Sequence, residues 1–185
     1  MELALNPAQA ELTPHLIREL RSDHAGETGA VYIYQGIITI AQIYRNQELV
    51  TFAKHHLKTE EEHLQLVEEW LESSNRSRLL GPWRMAGWLT GAIPALFGSK
   101  SVYATIAAVE TFVDRHYQEQ IDHMQSVGGP KELLSLLQRC QADEQHHRDE
   151  AKDLIQSNPP GLVLAAWCMV VGIGSKLAVS LARRI

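Results

Sequence analysis

The sequence predicts an all-α protein: a four-helix bundle of two helical hairpins, with two additional short apolar helices. Apolar residues recur every three or four positions over long stretches, and few segments alternate with period two. Pro and Gly fall in clusters that divide the chain into helical segments. At 185 residues the chain is long enough for one domain with a sizeable core. We predict residues 13–185 as that domain and residues 1–12 as an N-terminal extension.

Helix-breaking residues define the predicted helix bounds. Thr13–Pro14 is typical of an N-cap followed by Pro at the first helical position. Gly128–Gly129–Pro130 indicates a helix end followed by a new start. The break between the first two helices, near Arg45–Glu48, is the least sharply defined. We predict long helices at 15–46, 47–74, 99–126 and 131–156, and shorter apolar helices near 83–97 and 161–182.

Charge and cysteine content narrow the classes of function. The formal net charge of -5 argues against a nucleic-acid partner, which would require a basic stripe. Two cysteines, Cys140 and Cys168, are too few for a disulfide framework and favour a reducing compartment. The first residues lack the basic and apolar regions of a signal peptide. We therefore expect a bacterial cytoplasmic protein or one whose transit peptide has been removed.

Two apolar segments, near 79–98 and 161–182, are unusual for a soluble protein. Residues 79–98 carry one charge, and residues 161–175 carry none. Neither is an uninterrupted apolar run of the roughly 20 residues that span a membrane. Each is long enough to be a buried core helix or to lie in a membrane interface. We predict interface contact for at least one of them, with core packing as the alternative; Lys176 near a helix end can snorkel but opposes a full span.

A glutamate occupies the middle of the apolar stripe on each of the four long helices. On the second and fourth helices a histidine follows three residues later. A buried ionised carboxylate costs several kcal/mol unless it is paired or binds a metal, and four of them would also repel one another. Metal ions in the middle of the bundle remove both difficulties. The predicted metal ligands, which are also catalytic through the metal centre, are Glu27, Glu60, His63, Glu110, Glu144 and His147.

The spacing of these residues repeats between the two halves of the chain. Thirty-three residues separate Glu27 from Glu60, and 34 separate Glu110 from Glu144. Each hairpin thus supplies one lone Glu and one Glu-x-x-His pair, whose members share a helix face. This is the ferritin-like di-iron or di-manganese arrangement, and carboxylate with imidazole suits those metals. Register selects Glu60 over Glu61 and Glu62, and His147 over His146.

The segment Asp23-His24-Ala25-Gly26-Glu27, followed by Gly29–Ala30 and Tyr34, is narrower than the general di-iron pattern. Here the sequence resembles the demethoxyubiquinone hydroxylase family, the ferritin-like enzymes of ubiquinone biosynthesis. The resemblance runs from about Ile17 to Ala182 and includes the apolar segments. Its other matching segments are Glu60-x-x-His63-Leu64, Ala108-Val109-Glu110, His116–Tyr117, Gln120–Ile121 and Asp143-Glu144-x-x-His147.

The resemblance implies a monooxygenase that hydroxylates the benzoquinol ring of a prenylated demethoxyubiquinone intermediate, a late step in ubiquinone biosynthesis. It implies two iron ions per chain, dioxygen as co-substrate, and NADH or another reductant as the electron source. It also implies peripheral membrane contact, at the cytoplasmic face of the bacterial inner membrane. A prenylated quinol is the implied substrate; partner proteins of ubiquinone biosynthesis and a homo-oligomer are compatible with it.

Two other functions remain open on the same sequence. A ferritin-like oxidase, peroxidase or manganese catalase would use the same ligand set. A membrane-associated helical scaffold without chemistry would leave the buried glutamates unexplained. Around the centre, a ligating His usually donates its second N–H to a carboxylate or carbonyl. Candidates for that role are Asp23, Asp114 and Asp143. Further candidates near the site are His116, Tyr117 and Tyr34, and Cys140 is expected to be a buried hydrophobic residue. The sequence gives no usable signal for His15, His55, His56 and His123.

Overall fold

The computed structural model describes residues 12–155 and 161–185 and confirms the predicted all-α class. No strand occurs in these two ranges. The predicted N-terminal extension lies, apart from Leu12, outside the described residues, as does residue 156 at the predicted end of the fourth long helix. The helices are α1 (Pro14–Ile43), α2 (Gln47–Trp70), α3 (Leu80–Ala95), α4 (Ser99–Val127), α5 (Lys131–Leu154) and α6 (Leu162–Ala182).

Local capping interactions set the ends of the first hairpin, α1 and α2. The Thr13 side chain accepts a hydrogen bond from the Leu16 N–H at 3.2 Å, which confirms the predicted N-cap. The weakly defined break after α1 falls at Arg45, whose φ of 55° turns the chain. Asn46 then caps α2 by accepting from the Leu49 N–H at 3.1 Å. The α1–α2 turn is therefore built from a left-handed residue and a side-chain cap.

The second hairpin, α4 and α5, turns at Gly128, whose φ of 87° suits glycine. Its apolar side chains join those of α1 and α2 in two core clusters. The first core cluster, near the α1–α2 turn, includes Tyr34, Phe52 and Ile106. The second core cluster, near the other end, includes Leu20 and Leu137. The predicted metal ligands lie between these two clusters on every bundle helix.

Helix α3 packs against α1 at backbone-to-backbone distance. A Cβ built at Gly91 would lie 1.9 Å from the carbonyl oxygen of Ile33, and one built at Gly87 would lie 2.3 Å from that of Gly29. Gly36 makes the reciprocal approach, with its Cβ position 2.2 Å from the Trp88 carbonyl oxygen. Glycines allow this close crossing because they carry no side chain.

Helix α6 packs against α4 and α1 but leaves much of its apolar surface uncovered. Trp167 anchors it by donating to the Thr105 hydroxyl at 2.9 Å. Its 21 residues, Leu162–Ala182, agree with the apolar helix predicted near 161–182. By length and composition alone, it is the one helix in the described ranges able to cross a membrane. The apolar face of α3 and α6 comprises the exposed residues Met85, Leu89, Leu162, Val163, Met169, Val170, Ile173, Leu177 and Leu181.

That exposure bears on the predicted role of the two apolar segments. Of the residues in α6, Val171 and Ala182 are buried, so this helix is not a core helix of the chain. Helix α3 is a partial core helix, because it buries its glycine-rich side on α1. The core-packing alternative therefore fails for α6, and contact of α6 with a membrane interface stays a prediction.

The glycine crossing gives a test of the α1–α3 contact. Gly91→Ala should lower the free energy of unfolding by about 1–3 kcal/mol, because the methyl group forces the two backbones apart. Denaturant unfolding followed by circular dichroism measures the change. The matched control is Gly172→Ala in α6, where an added Cβ meets nothing within 4 Å. This substitution should raise the free energy of unfolding by about 0.4–1 kcal/mol. Equal effects of the two substitutions would contradict the crossing.

Candidate metal centre

The six predicted ligands meet in the middle of the bundle. Each of them is at most 3% exposed. They project from α1, α2, α4 and α5, and the three-residue step brings each His onto the same face as its Glu. Register was the deciding argument for Glu60 and His147, and both side chains point inward, whereas Glu61 is exposed. Every residue that the spacing selected therefore lies in one cluster.

Within this cluster, two groups of four have donor atoms that all lie within 4.8 Å of one another. One contains Glu27, Glu60, His63 and Glu144, and the other contains Glu60, Glu110, Glu144 and His147. Glu60 and Glu144 belong to both groups. The first group is completed by the lone Glu and the His of the first hairpin, and the second group by those of the second hairpin. The geometry fits two adjacent metal ions, to both of which Glu60 and Glu144 would be available as ligands.

Several donor atoms in the cluster have no hydrogen-bond partner among the described residues. These include both carboxylate oxygens of Glu60, one oxygen each of Glu27 and Glu144, and the Nδ1 atom of His147. Buried polar atoms in this state cost free energy unless something binds them. Because the unpartnered atoms are carboxylate oxygens and an imidazole nitrogen, the residues present fit iron or manganese.

The metal-free cluster has strongly shifted acid–base properties. Burial raises the pKa of Glu27 to about 7 and holds those of Glu60 and Glu110 well above their usual range. Burial acts the same way on Glu144, but the adjacent His147 and His63 imidazoles outweigh it and hold its pKa at about 2. For His63 burial is also outweighed, by Glu144, Glu27 and Glu60, and its pKa rises to about 10. Metal binding must therefore displace protons from this cluster.

Asp143 orients one of the two histidines. The Nε2 atom of His63 lies 3.0 Å from an Asp143 carboxylate oxygen, so that nitrogen carries the proton and donates it. Its Nδ1 atom faces the cluster, 3.1 Å from Glu144 Oε1. This is the arrangement in which an outer carboxylate sets the tautomer of a ligand. Of the three aspartates considered from the sequence, Asp143 is the one that contacts a predicted ligand His.

The other two aspartates bond elsewhere. Asp114 accepts hydrogen bonds from Gln145 at 2.9 Å and from Arg148, in a polar network between α4 and α5. Asp23 accepts from His116 Nε2 at 2.9 Å. Their predicted role beside a ligand His is therefore wrong, because both have partners on α4 or α5 that compete for the carboxylate.

Two tyrosines connect the hairpins at the centre. Tyr117 on α4 donates to Glu27 Oε1 on α1 at 2.5 Å. Tyr34 on α1 makes a longer contact of 3.4 Å to Glu110 Oε1 on α4. Burial and nearby carboxylates raise the pKa of both phenols, so both remain protonated donors. Each hairpin thus supplies a hydroxyl to the lone glutamate of the other.

Sequence reasoning missed two features near the centre: the contact of Arg183 with His116, and the burial of His56 beside His147. Arg183 at the end of α6 pairs with Glu19 at 2.7 Å and lies 3.3 Å from His116 Nδ1. His56 is fully buried with its ring centroid 4.2 Å from that of His147. Burial lowers the pKa of His56 to about 3, with help from the neighbouring histidines. The signal for His56 was its place on the apolar stripe of α2, whereas Arg183 offered none.

An apolar cavity of ≈ 330 Å³ adjoins the carboxylates. Its walls come from α1, α3, α4 and α6, and include Trp83, Phe112 and Val170. At its inner end it reaches the four predicted glutamate ligands. The two helices outside the four-helix bundle therefore form the outer wall of a pocket whose floor is the metal cluster.

Residues 14–182 match the family described as Ubiquinone biosynthesis protein COQ7. The chain belongs to the COQ7 family. It is 34% identical to a 3-demethoxyubiquinol 3-hydroxylase of Rhodospirillum rubrum over 171 residues, 91% of this chain and 77% of the relative. It is 31% identical to one of Legionella pneumophila over 153 residues, 82% and 70% of the two chains. A mitochondrial NADPH-dependent 3-demethoxyubiquinone 3-hydroxylase of Caenorhabditis elegans is 29% identical over 170 residues, 90% and 88% of the two chains.

The COQ7 family match confirms the resemblance inferred from the sequence. It extends beyond the four-helix bundle, since residues 14–182 include α3 and α6 entirely. The apolar helices are therefore part of the COQ7 family unit. The cavity that they form over the carboxylates is a feature of the whole matched region.

The shifted pKa values predict how pH affects the metal-free protein. Its melting temperature should fall by roughly 5–10 °C between about pH 6.5 and about pH 9; below about pH 6.5 the lowered pKa of His56 acts in the opposite direction. The folded-state pKa of Glu27, about 7, exceeds its ordinary 4.5, and that of His63, about 10, exceeds its ordinary 6.5. Both groups stabilise the fold while protonated and lose that contribution as pH rises. The pKa of Glu144 is lowered to about 2, so its contribution to stability is constant at any pH above its ordinary pKa of 4.5.

Calorimetry of chelator-treated protein checks this prediction. Glu27→Gln should remove the loss of stability that Glu27 contributes between about pH 5 and about pH 7, and Glu62→Gln, at a side chain that is 47% exposed, should leave the pH dependence unchanged. Added metal should stabilise most at the higher pH, because it binds deprotonated ligands. A melting temperature that rises with pH in metal-free protein would contradict the assigned shifts.

Proposed function

We propose that this chain is a 3-demethoxyubiquinol 3-hydroxylase. It is a monooxygenase that hydroxylates the benzoquinol ring of a prenylated demethoxyubiquinone intermediate with dioxygen, late in ubiquinone biosynthesis. One observation carries the proposal: an apolar cavity ends on a carboxylate and histidine cluster that fits two metal ions. The relatives named as 3-demethoxyubiquinol 3-hydroxylases support the same activity.

The six clustered residues hold two iron ions in this proposal. Glu27, Glu60, His63 and Glu144 would hold one ion, and Glu60, Glu110, Glu144 and His147 would hold the other. When bound, the iron pair supplies the reducing equivalents that activate dioxygen, and NADH or another reductant replenishes them. Because all six side chains are buried, the bundle holds them in fixed positions around the ions.

The cavity walls bind and orient the substrate ring. Val109, Phe112 and Val113 on α4 line the cavity together with Trp83 on α3, so these apolar side chains can hold an aromatic ring. These walls exclude water from the reacting position. Tyr117 donates a hydrogen bond to Glu27, which keeps that carboxylate aligned beside the cavity floor. The prenyl tail leaves between α3 and α6, whose outer surface is the apolar face.

The apolar face also supports a location for the enzyme. An apolar helix side that the bundle leaves uncovered is suited to contact with a membrane interface. We therefore place the protein peripherally on a bacterial inner membrane, at its cytoplasmic face, where a prenylated quinol is available. Partner proteins of ubiquinone biosynthesis, or a second copy of the chain, are further candidates to cover part of the same face.

The activity is tested by expression in a bacterial strain that accumulates the demethoxy intermediate. The wild-type chain should restore ubiquinone and should contain about two irons per chain when purified. Glu60→Ala should lose both ions, because it removes a ligand common to both groups, and should fail to restore ubiquinone. Quinone extraction with mass spectrometry and metal analysis give the two readouts.

The control for that experiment is Glu61→Ala, the exposed neighbour on α2. It should keep both irons and restore ubiquinone. Continued accumulation of the demethoxy intermediate by well-expressed, iron-loaded wild-type protein would contradict the hydroxylase and favour a ferritin-like oxidase or peroxidase. Full activity in a metal-free preparation would contradict the metal centre itself.

Membrane contact has its own test. Ile173→Asp combined with Leu177→Asp should weaken binding to phospholipid vesicles by more than about 10-fold, because each buried aliphatic side chain contributes about 1.5–3 kcal/mol. Both residues are more than half exposed on α6. Vesicle co-sedimentation measures the partitioning. Ile43→Asp, equally exposed but at the end of α1, is the control and should bind as the wild type does; undiminished binding of the double variant would contradict the location.

A further inference from the structure

His56 is a buried histidine that the proposed centre does not use. It lies on α2 one turn before Glu60 and is 0% exposed. Neither ring nitrogen makes a hydrogen bond to a described residue. Its Nε2 atom nevertheless lies 3.1 Å from a Glu150 carboxylate oxygen on α5, in an orientation that forms no hydrogen bond. A buried imidazole without a partner costs free energy that an apolar residue at this position would avoid.

The register of the two helices makes this pair a continuation of the centre. On α2, His63, Glu60 and His56 follow one another at helical steps of three and four residues. On α5, Glu144, His147 and Glu150 follow at steps of three, so they share a face. The His56 ring packs against that of His147, with centroids 4.2 Å apart. His56 and Glu150 therefore form a third imidazole–carboxylate pair, one turn beyond the group of Glu110 and His147.

Solvent reaches this third pair from a different side of the bundle than the apolar cavity. Glu150 lines a surface pocket together with Glu48, His55 and Phe52, and its side chain is 36% exposed. The pocket thus presents two carboxylates and an imidazole to solvent, which favour a cation. Phe52 packs on His56 with ring centroids 4.4 Å apart. The buried His56 lies directly behind this acidic opening and next to His147.

We propose that His56 and Glu150 form a third site for a divalent metal ion, through which ferrous iron enters the di-metal centre. The inference rests on the proposed function, because it requires a centre to be loaded. The separation of the two donors suits one shared ion, since ligands at roughly 2.1 Å and a right angle lie roughly 3 Å apart. Two protein ligands completed by water bind more weakly than the six-residue centre, as a site that passes its ion inward requires.

The experiment titrates metal-free full-length protein with Mn²⁺ and measures free Mn²⁺ by electron paramagnetic resonance. Wild-type protein should bind two tight equivalents and a third, weaker one. Glu150→Gln should keep the two tight equivalents and weaken the third by at least about 10-fold, since losing even an outer partner costs 10–100-fold in metal affinity. A second measurement mixes metal-free protein rapidly with Fe²⁺ under anaerobic conditions. Glu150→Gln should fill the di-metal centre more slowly than the wild type, by a similar factor.

Two further variants control this experiment. Asp153→Asn removes the same charge from an exposed position one turn further along α5, and it should keep all three equivalents and the wild-type loading rate. His56→Leu should lose the third equivalent as Glu150→Gln does. Circular dichroism checks whether His56→Leu folds. If it does not, the result for Glu150→Gln decides alone, because the Glu150 side chain is 36% exposed.

The outcomes separate this inference from the proposed function. A third equivalent that persists in Glu150→Gln, or a wild type that binds two equivalents and no more, overturns the third site and leaves the centre intact. A wild type without tight equivalents, but with a weak one that Glu150→Gln removes, overturns the proposed centre and supports the metal site at His56 and Glu150. If Glu150→Gln and His56→Leu both fill the di-metal centre at the wild-type rate, the role of the third site in metal entry is overturned.

Discussion

Four glutamate side chains share the middle of one helical bundle, and their mutual repulsion and desolvation constrain the rest of the structure. Burial pushes three of them towards the protonated state, while two histidines keep Glu144 ionised. The apolar clusters on either side stabilise the bundle enough to hold these groups out of water. A pair of metal ions is the partner that satisfies the donors left unpaired. Keeping these donors buried for a metal therefore lowers the stability of the fold when no metal is bound.

The centre belongs to both hairpins at once. Glu60 and Glu144, which belong to both donor groups, come from different hairpins, and each tyrosine reaches the lone glutamate of the other hairpin. Neither hairpin alone completes either group of four donors. Because every metal position draws on α2 and α5 together, metal binding must favour the docked arrangement of the two hairpins over any other.

Sequence periodicity predicted the bundle, the helix ends near Thr13 and Gly128, and which glutamates point inward, because these depend on local register. It did not predict the α1–α3 glycine crossing, since Gly91 meets Ile33 only in the folded chain. Asp23 and Asp114 were misjudged for the same reason: their partners lie on other helices. His56 is the instructive case, because its place on the apolar stripe of α2 was visible and its lack of a partner was not.

The surroundings of the cluster differ on its two sides, and that difference has a chemical reason. Towards α3 and α6 the walls are apolar, as a hydrophobic ring and its prenyl tail require, and hydrated ions are disfavoured there. Towards the beginning of α2 and the end of α5 the lining includes the carboxylates of Glu48 and Glu150 and the imidazole of His55, which attract cations. A single cavity for both would suit neither the apolar substrate nor the hydrated metal ion. Separate approaches let the substrate pocket stay dry while the ligands remain reachable by metal.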